Sequence, residues 1–204
     1  MIKICIIDYG LGNIASMFHA VKSLDKEVVI SKNKEEIKNS SHLILPGVGS
    51  FKSGMKGLEK NDLIEILSDE VLIKKKPILR VCLGMQLFLT EGSEDGVHKG
   101  LNWIEGNVTK INNKSNKLKI PHMGWNEVNY TKKNKLFSGV TNRSSFYFVH
   151  SYHVVPNDQT IISGSCFYGE DLVASIEKDN IFATQFHPEK SHNVGSLLLK
   201  NFLS

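Results

Sequence analysis

Cysteine is scarce in this sequence: its 204 residues hold three, Cys5, Cys82 and Cys166. Their odd number and lack of any CxxC spacing argue against a secreted disulfide framework. Long apolar runs are also missing. None approaches the roughly 20 residues that span a bilayer, and Met1-Ile2-Lys3-Ile4 leads straight into a strand pattern with no signal-peptide character. A cytoplasmic setting is therefore expected, with no membrane contact. Charge of one sign is not concentrated anywhere. The net charge is +4, and the lysines are scattered, often beside asparagine, without the basic stripe or aromatic interleaving that grips nucleic acid. His150, His153, His187 and His192 match no common zinc spacing, so neither a metal nor a cofactor is expected. Gly10-Leu11-Gly12 follows a strand pattern but lacks the third glycine of a dinucleotide fingerprint, Ala15 or Ser16 standing there. It reads as a plain strand-to-helix turn.

What is present fits one domain over residues 1–204, with hydrophobic residues at 41% and charged residues at 23%. Ile2 to Asp8 has the continuous apolar run of a strand covered on both faces. Ile14, Met17, Phe18, Val21 and Leu24 then recur at helical spacing. Val28–Ile30 is a second strand, Glu35 to about Ser40 a short helix, and His42–Leu45 a third strand. Leu63 to Leu72 is amphipathic and ends at Lys74-Lys75-Lys76-Pro77, a run that complements the helix C-terminus and is assigned no partner. The alternation predicts an α/β fold with a mostly parallel sheet and helices on both faces. Beyond Glu91-Gly92 the character changes. Gly106–Ile111, Phe146–Val154, Ile161–Cys166, Val173–Ile176 and Ile181–Phe186 predict a mixed or antiparallel extension. Asn112–Lys119 is expected as an exposed hairpin tip, and Ser191-His192 opens a final helix.

Three stretches carry chemistry. Ile78-Leu79-Arg80-Val81-Cys82 is a short buried strand behind Pro77, and Leu83 to Leu89 are helix formers, so Cys82 stands at a strand-to-helix turn with the geometry of a nucleophile elbow. A helix start favours thiolate over thiol. Ile181 to Lys190 is an apolar strand ending in His187-Pro188-Glu189, which in extended chain sets the imidazole and the carboxylate on one face. An imidazole that takes the thiol proton and a carboxylate that fixes its tautomer complete the logic of a cysteine triad. Pro46-Gly47-Val48-Gly49 is a loop whose amides suit an oxyanion hole. Sites in open α/β sheets form beyond the carboxyl ends of the strands, where this loop and Cys82 both lie.

Taken in order, Pro46-Gly47-Val48-Gly49, Val81-Cys82-Leu83-Gly84-Met85-Gln86, Pro121-His122-Met123-Gly124-Trp125-Asn126, Tyr147-Phe148-Val149-His150-Ser151-Tyr152 and Gln185-Phe186-His187-Pro188-Glu189-Lys190-Ser191 resemble the class I, triad-type glutamine amidotransferases. Within them they are similar to the glutaminase subunits of imidazole glycerol phosphate synthase. The likeness implies a flavodoxin-like fold and a glutaminase in which Cys82 attacks the glutamine side-chain amide, His187 relays protons and Glu189 orients His187. It further implies an oxyanion hole at Gly47, Val48, Gly49 and Leu83, and glutamine contacts at Gly84, Gln86, His150, Ser151 and Tyr152. Ammonia is then expected to pass to a HisF-type (β/α)8-barrel synthase subunit of histidine biosynthesis in a heterodimer, with Met123, Trp125, Tyr147 and Lys190 facing that partner. One residue departs from the pattern. The family usually has glycine two places before the nucleophile, where this chain has Arg80, whose long side chain is expected to point away from the packed side or to shift the turn. Arg80 also fits a specialised branch that feeds ammonia to a surface-sugar pathway, and a catalytically silent binding subunit. An intact Cys, His and Glu set argues against the silent reading. Gln86 and His150-Ser151-Tyr152 favour glutamine over the substrates of other cysteine hydrolases.

Overall fold

The computed structural model describes residues 2–112, 118–130 and 134–204. In chain order its elements are β1 (Lys3–Ile7), α1 (Ile14–Lys22), β2 (Glu27–Ser31), α2 (Lys34–Asn39), β3 (His42–Gly47), α3 (Phe51–Lys60), α4 (Leu63–Ser68), β4 (Ile78–Cys82) and α5 (Leu83–Gln86). They continue with β5 (Glu91–Gly92), β6 (His98–Lys99), β7 (Gly106–Lys110), β8 (His122–Glu127), β9 (Ser145–His150), β10 (Tyr152–Pro156), β11 (Ile162–Phe167), β12 (Asp171–Lys178), β13 (Ile181–Thr184) and α6 (His192–Phe202). A seven-stranded sheet runs β11-β12-β13-β4-β3-β1-β2. Its run from β13 to β2 is parallel, and β11 and β12 extend it antiparallel. The alternation seen in β1 explains the two-sided burial. Ile4 and Ile6 pack with Met17 and Val21 of α1 and Leu198, Leu199 and Phe202 of α6, whereas Cys5 and Ile7 pack with Ile37, Phe51, Leu58 and Leu67 on the other face. This is the expected α/β architecture with an antiparallel extension. Among the described residues no helix is long and apolar enough to cross a membrane.

Several elements differ from the sequence expectation, each for a packing reason. Phe146–Val154 is not one strand: it breaks at Ser151, because β9 pairs with β8 while β10 pairs with β7 in a separate four-stranded sheet. Helix α3 was not expected, since Gly54 and Gly57 weaken its helical signal. A Cβ on Gly54 would meet Leu87 at 2.8 Å and one on Gly57 would meet the Tyr9 carbonyl oxygen at 2.5 Å, so these glycines serve close packing. The predicted helix at 63–72 passes from α4 into a π-helical turn, Asp69–Ile73. There Glu70 is buried and receives Lys74 Nζ at 2.7 Å and Lys76 Nζ at 2.6 Å. Lys74 and Lys76 are thus tied to Glu70 within the fold, and Lys76 also donates to the carbonyls of Ile37 and Lys38 at the end of α2. Residues 113–117 of the expected hairpin tip lie outside the described residues, and the flanking strands β7 and β8 belong to different sheets.

Candidate active site

Strand β4 delivers Cys82 to the carboxyl edge of the sheet, in register with Gly47 of β3. Cys82 has φ 54° and ψ −109°, a conformation that L-residues avoid and that a strained elbow imposes. The helix that follows is short, Leu83–Gln86, and the backbone folds back with Leu89 N–H donating to the Gln86 carbonyl. Gly84 makes the turn possible in a particular way: a Cβ there would stand 2.1 Å from the Leu45 carbonyl oxygen. Gly84 thus lies against β3 and, like Gly47, is not among the residues that line the cavity beside Cys82. The other thiols are inert by comparison, burial pushing both Cys5 and Cys166 up to about 12.

His187 and Glu189 do meet, by a different route from the extended strand expected. Strand β13 stops at Thr184, and Pro188–Lys190 forms a single 3-10 turn. His187 Nδ1 lies 2.8 Å from Glu189 Oε1, with both side chains almost fully buried. Proline at the first position of the turn fixes φ where no N–H is needed. Ser191 clamps the segment: its hydroxyl donates to the His187 carbonyl at 2.6 Å and accepts from Tyr147 N–H at 3.1 Å. His187 N–H donates to the Tyr147 carbonyl at 2.9 Å. Burial pulls the His187 imidazolium down, but the Cys82 thiolate and the Glu189 carboxylate outweigh it and raise the pKa from 6.5 to about 10. Among the described residues His187 Nε2 has no aligned hydrogen-bond partner. The sulfur instead faces the Val149 carbonyl at 3.8 Å and receives Gln185 Nε2 at 3.6 Å.

A cavity of about 350 Å³ opens beside the sulfur. Val48, Gly49, Leu83, Gln86, His150, Ser151 and Tyr152 line it with Cys82, so most of the predicted oxyanion and substrate residues share one cavity. Gly47 lies just behind, where a Cβ would meet the Gly84 nitrogen at 2.8 Å. Gln86 directs its amide hydrogens to the Tyr152 carbonyl at 2.9 Å and Gln185 Oε1 at 3.2 Å, which leaves its own Oε1 as a remaining acceptor. Sequence reasoning missed Glu94, which also lines the cavity while accepting Phe51 N–H at 2.7 Å. It missed Gln185 as well, a buried side chain whose place beside the sulfur only the fold reveals. The residue spacing around Glu94 carries no signal for either role.

Arg80 reverses the expectation attached to it. The side chain points into the packed side at 0% exposure, and the turn is unshifted, since β3 and β4 stay in register through Gly47 and Cys82. Aromatic faces make this possible: its guanidinium carbon sits 4.0 Å from the Trp103 ring centroid and 5.0 Å from that of Phe88. Nη1 donates to the Gly84 carbonyl at 3.4 Å, while Nε and Nη2 have no hydrogen-bond partner among the described residues. Burial lowers the Arg80 pKa from 12.5 to about 9, opposed by the Tyr9 hydroxyl.

The residues expected to face a partner gather around the β8–β9 hairpin. Met123 is 62% and Trp125 49% exposed. The Trp125 ring meets Tyr147 edge-on at 6.0 Å and stacks on His192 at 5.0 Å, and Lys190 Nζ lies 5.6 Å over the Tyr147 ring. Exposed aromatic and methionine side chains of this kind mark interaction surfaces.

Comparison with known proteins bears on the chain as a whole. The sequence pattern of the glutamine amidotransferase class-I family matches residues 5–204. The imidazole glycerol phosphate synthase subunit HisH 1 of Campylobacter jejuni subsp. jejuni is 51% identical over 98% of each chain. HisH of Pelagibacter ubique is 44% identical over 99% of each, and HisH 2 of Pseudomonas aeruginosa is 44% identical over 98% of each. Among solved structures, PurLQS from Thermotoga maritima superposes with a TM-score of 0.75 at 16% identity, covering 99% of this chain and 97% of that one. That last likeness concerns the fold.

Proposed function

The chain belongs to the glutamine amidotransferase class-I family, and from that membership we propose that it hydrolyses glutamine through Cys82, His187 and Glu189 and hands the ammonia to a synthase subunit. The Cys82 sulfur attacks the side-chain amide carbon of glutamine, forming the S–C bond, and negative charge gathers on the former carbonyl oxygen. Backbone amides of Gly47, Val48, Gly49 and Leu83 are the donors for that oxyanion. The imidazolium of His187 gives its proton to the amide nitrogen, the C–N bond breaks, and ammonia leaves a glutamyl thioester. Neutral His187 then takes a proton from water, whose oxygen attacks the thioester carbon and releases glutamate and the Cys82 thiolate. Glu189 keeps the ring in the tautomer that both steps use. Gln86 Oε1 and the Glu94 carboxylate suit the α-amino group, and the Ser151 and Tyr152 segment suits the carboxylate end. The observation that carries this reading is the strained Cys82 elbow lining one cavity with Leu83, Gln86 and Tyr152, together with the 2.8 Å His187–Glu189 pair.

The relatives' names, subunits of imidazole glycerol phosphate synthase, support a synthase partner, and the remaining details follow from the family resemblance. The partner is a HisF-type (β/α)8-barrel subunit, docked on Met123, Trp125, Tyr147 and Lys190 in a heterodimer. There ammonia joins a phosphoribosyl-formimino intermediate to give imidazole glycerol phosphate and an aminoimidazole carboxamide ribotide. Arg80 in the place of the usual glycine favours a second reading, in which a related barrel delivers the ammonia to a surface-sugar acceptor. The test is glutamate release from glutamine with and without the barrel subunit. Partner-stimulated release in the wild type and none in Cys82→Ala is the expected result. Equal release in Cys82→Ala removes the nucleophile, and transfer to a sugar acceptor but not to the histidine intermediate selects the second reading.

A further inference from the structure

A continuous path of hydrogen bonds joins the exposed β8–β9 hairpin to the sulfur, and the direction of each hydrogen along it is determined. The Tyr152 carbonyl can only accept, so His150 Nδ1, 2.9 Å away, carries a hydrogen. Burial pushes His150 down to about 3, so the ring is neutral and its Nε2 is a bare acceptor. His122 Nδ1 lies 3.0 Å from that nitrogen and must therefore donate to it. Burial also holds His122 down to about 4, which leaves its Nε2 to accept from Asn126 Nδ2 at 3.2 Å. The Asn126 amide also donates to the Phe167 carbonyl at 3.0 Å. The His122 ring is held between Phe148 and Tyr168, with centroids at 4.7 and 4.1 Å. From the Tyr152 carbonyl the path continues through Gln86 and Gln185 to Cys82 Sγ.

We propose that His122, which is not in the cavity wall, is a positioning residue for the glutamine site: its Nδ1–H occupies His150 Nε2, reinforces the tautomer that the Tyr152 carbonyl selects, and so helps hold that carbonyl and the Gln86 amide in place. The identity of the ligand rests on the function proposed above; the direction of the hydrogen bonds does not. His122 shares β8 with Met123 and Trp125, so the docking hairpin and the substrate cavity are tied by rigid polar contacts as well as by packing. A change of tautomer at either ring sets two N–H groups or two bare nitrogens against each other, which a buried pair resists.

The test uses the full chain, ring ¹⁵N NMR, and protection of Cys82 against iodoacetamide by glutamine. In the wild type, His150 is expected as the Nδ1–H tautomer with a bare Nε2 that stays unprotonated down to pH 5.5. In His122→Phe, which keeps the ring stack but removes the donor, the His150 Nε2 resonance shifts and half-protection needs about tenfold more glutamine. His122→Asn, whose amide takes the place of Nδ1–H, restores both. An Nε2–H tautomer of His150 in the wild type overturns the proposal. So does unchanged glutamine protection in His122→Phe, and so does an asparagine variant no better than phenylalanine. If His122→Phe fails to fold by circular dichroism, the wild-type tautomer and the asparagine variant decide. If glutamine gives the wild type no protection, the proposed substrate fails while the NMR result still judges the hydrogen-bond path.

Discussion

Arg80→Met removes a positive charge from beneath the nucleophile while keeping most of the side-chain length. The fall in the Arg80 pKa from 12.5 to about 9 corresponds, at ~1.36 kcal/mol per unit, to about 5 kcal/mol against the charged form. Opposing it, the desolvated Trp103 contact contributes about 2 kcal/mol and the longer Phe88 contact about 1 kcal/mol. The single hydrogen bond to Gly84 adds about 1 kcal/mol. Methionine packs against the same two rings through sulfur and methylenes. The net expectation is a variant more stable by about 1 kcal/mol at pH 7.5, or ~2–4 °C in Tm for a chain of this size. The pH dependence has a definite sign. The unfolded state holds the Arg80 proton more tightly than the folded state, so the wild type carries the whole penalty below about pH 9 and recovers stability as pH rises above it. The advantage of methionine therefore holds up to about pH 9 and shrinks above it. Urea unfolding of both proteins below and above that pH measures it. Glutaminase turnover is expected to stay within about threefold, since a 3.4 Å hydrogen bond is worth less than ~0.7 kcal/mol to the elbow. A variant less stable than wild type at pH 7.5, or an advantage indifferent to pH, refutes the view that the buried cation is a net burden.

Two further substitutions probe the chemistry directly. Glu189→Gln takes the carboxylate from His187 and is expected to lower kcat by about 10²–10³-fold with little change in KM; a loss below tenfold in steady-state assays argues against the orienting role. In the same variant the pH dependence of stability should change. The raised pKa of His187 gives the wild type a contribution that is whole below about pH 6.5 and lost as pH climbs through about 10, so wild type and variant converge in alkaline denaturant titrations. Glu94→Gln removes a charge from the cavity wall while keeping an acceptor for Phe51 N–H. It is expected to raise KM for glutamine about tenfold or more, and an unchanged KM removes Glu94 from the α-amino site.

Much of the architecture was legible from residue order. The apolar run of Ile4 to Ile7 and the helical spacing of Met17 and Val21 carry local periodicities that name a covered parallel strand and its crossover helix. The elbow at Cys82 was equally plain, because a strand-to-helix junction at a nucleophile is a contiguous pattern. Helix α3 was hidden because its glycines answer to Leu87 and Tyr9, residues remote in the chain. The break at Ser151 was hidden because nothing in the alternating run says that its halves pair in different sheets.

Residue identity alone settles which groups are able to react, since a thiol, an imidazole and a carboxylate have their chemistry wherever they stand. How they are held follows from the fold. The His187–Glu189 pair closes through a 3-10 turn, Gln185 reaches the sulfur across the site, and Arg80 is buried between two aromatic rings. The physical reason is the range of the forces concerned. Periodicity and turn chemistry act over a few residues, whereas desolvation, ring stacking and hydrogen-bond direction depend on neighbours that the chain supplies only after it has folded.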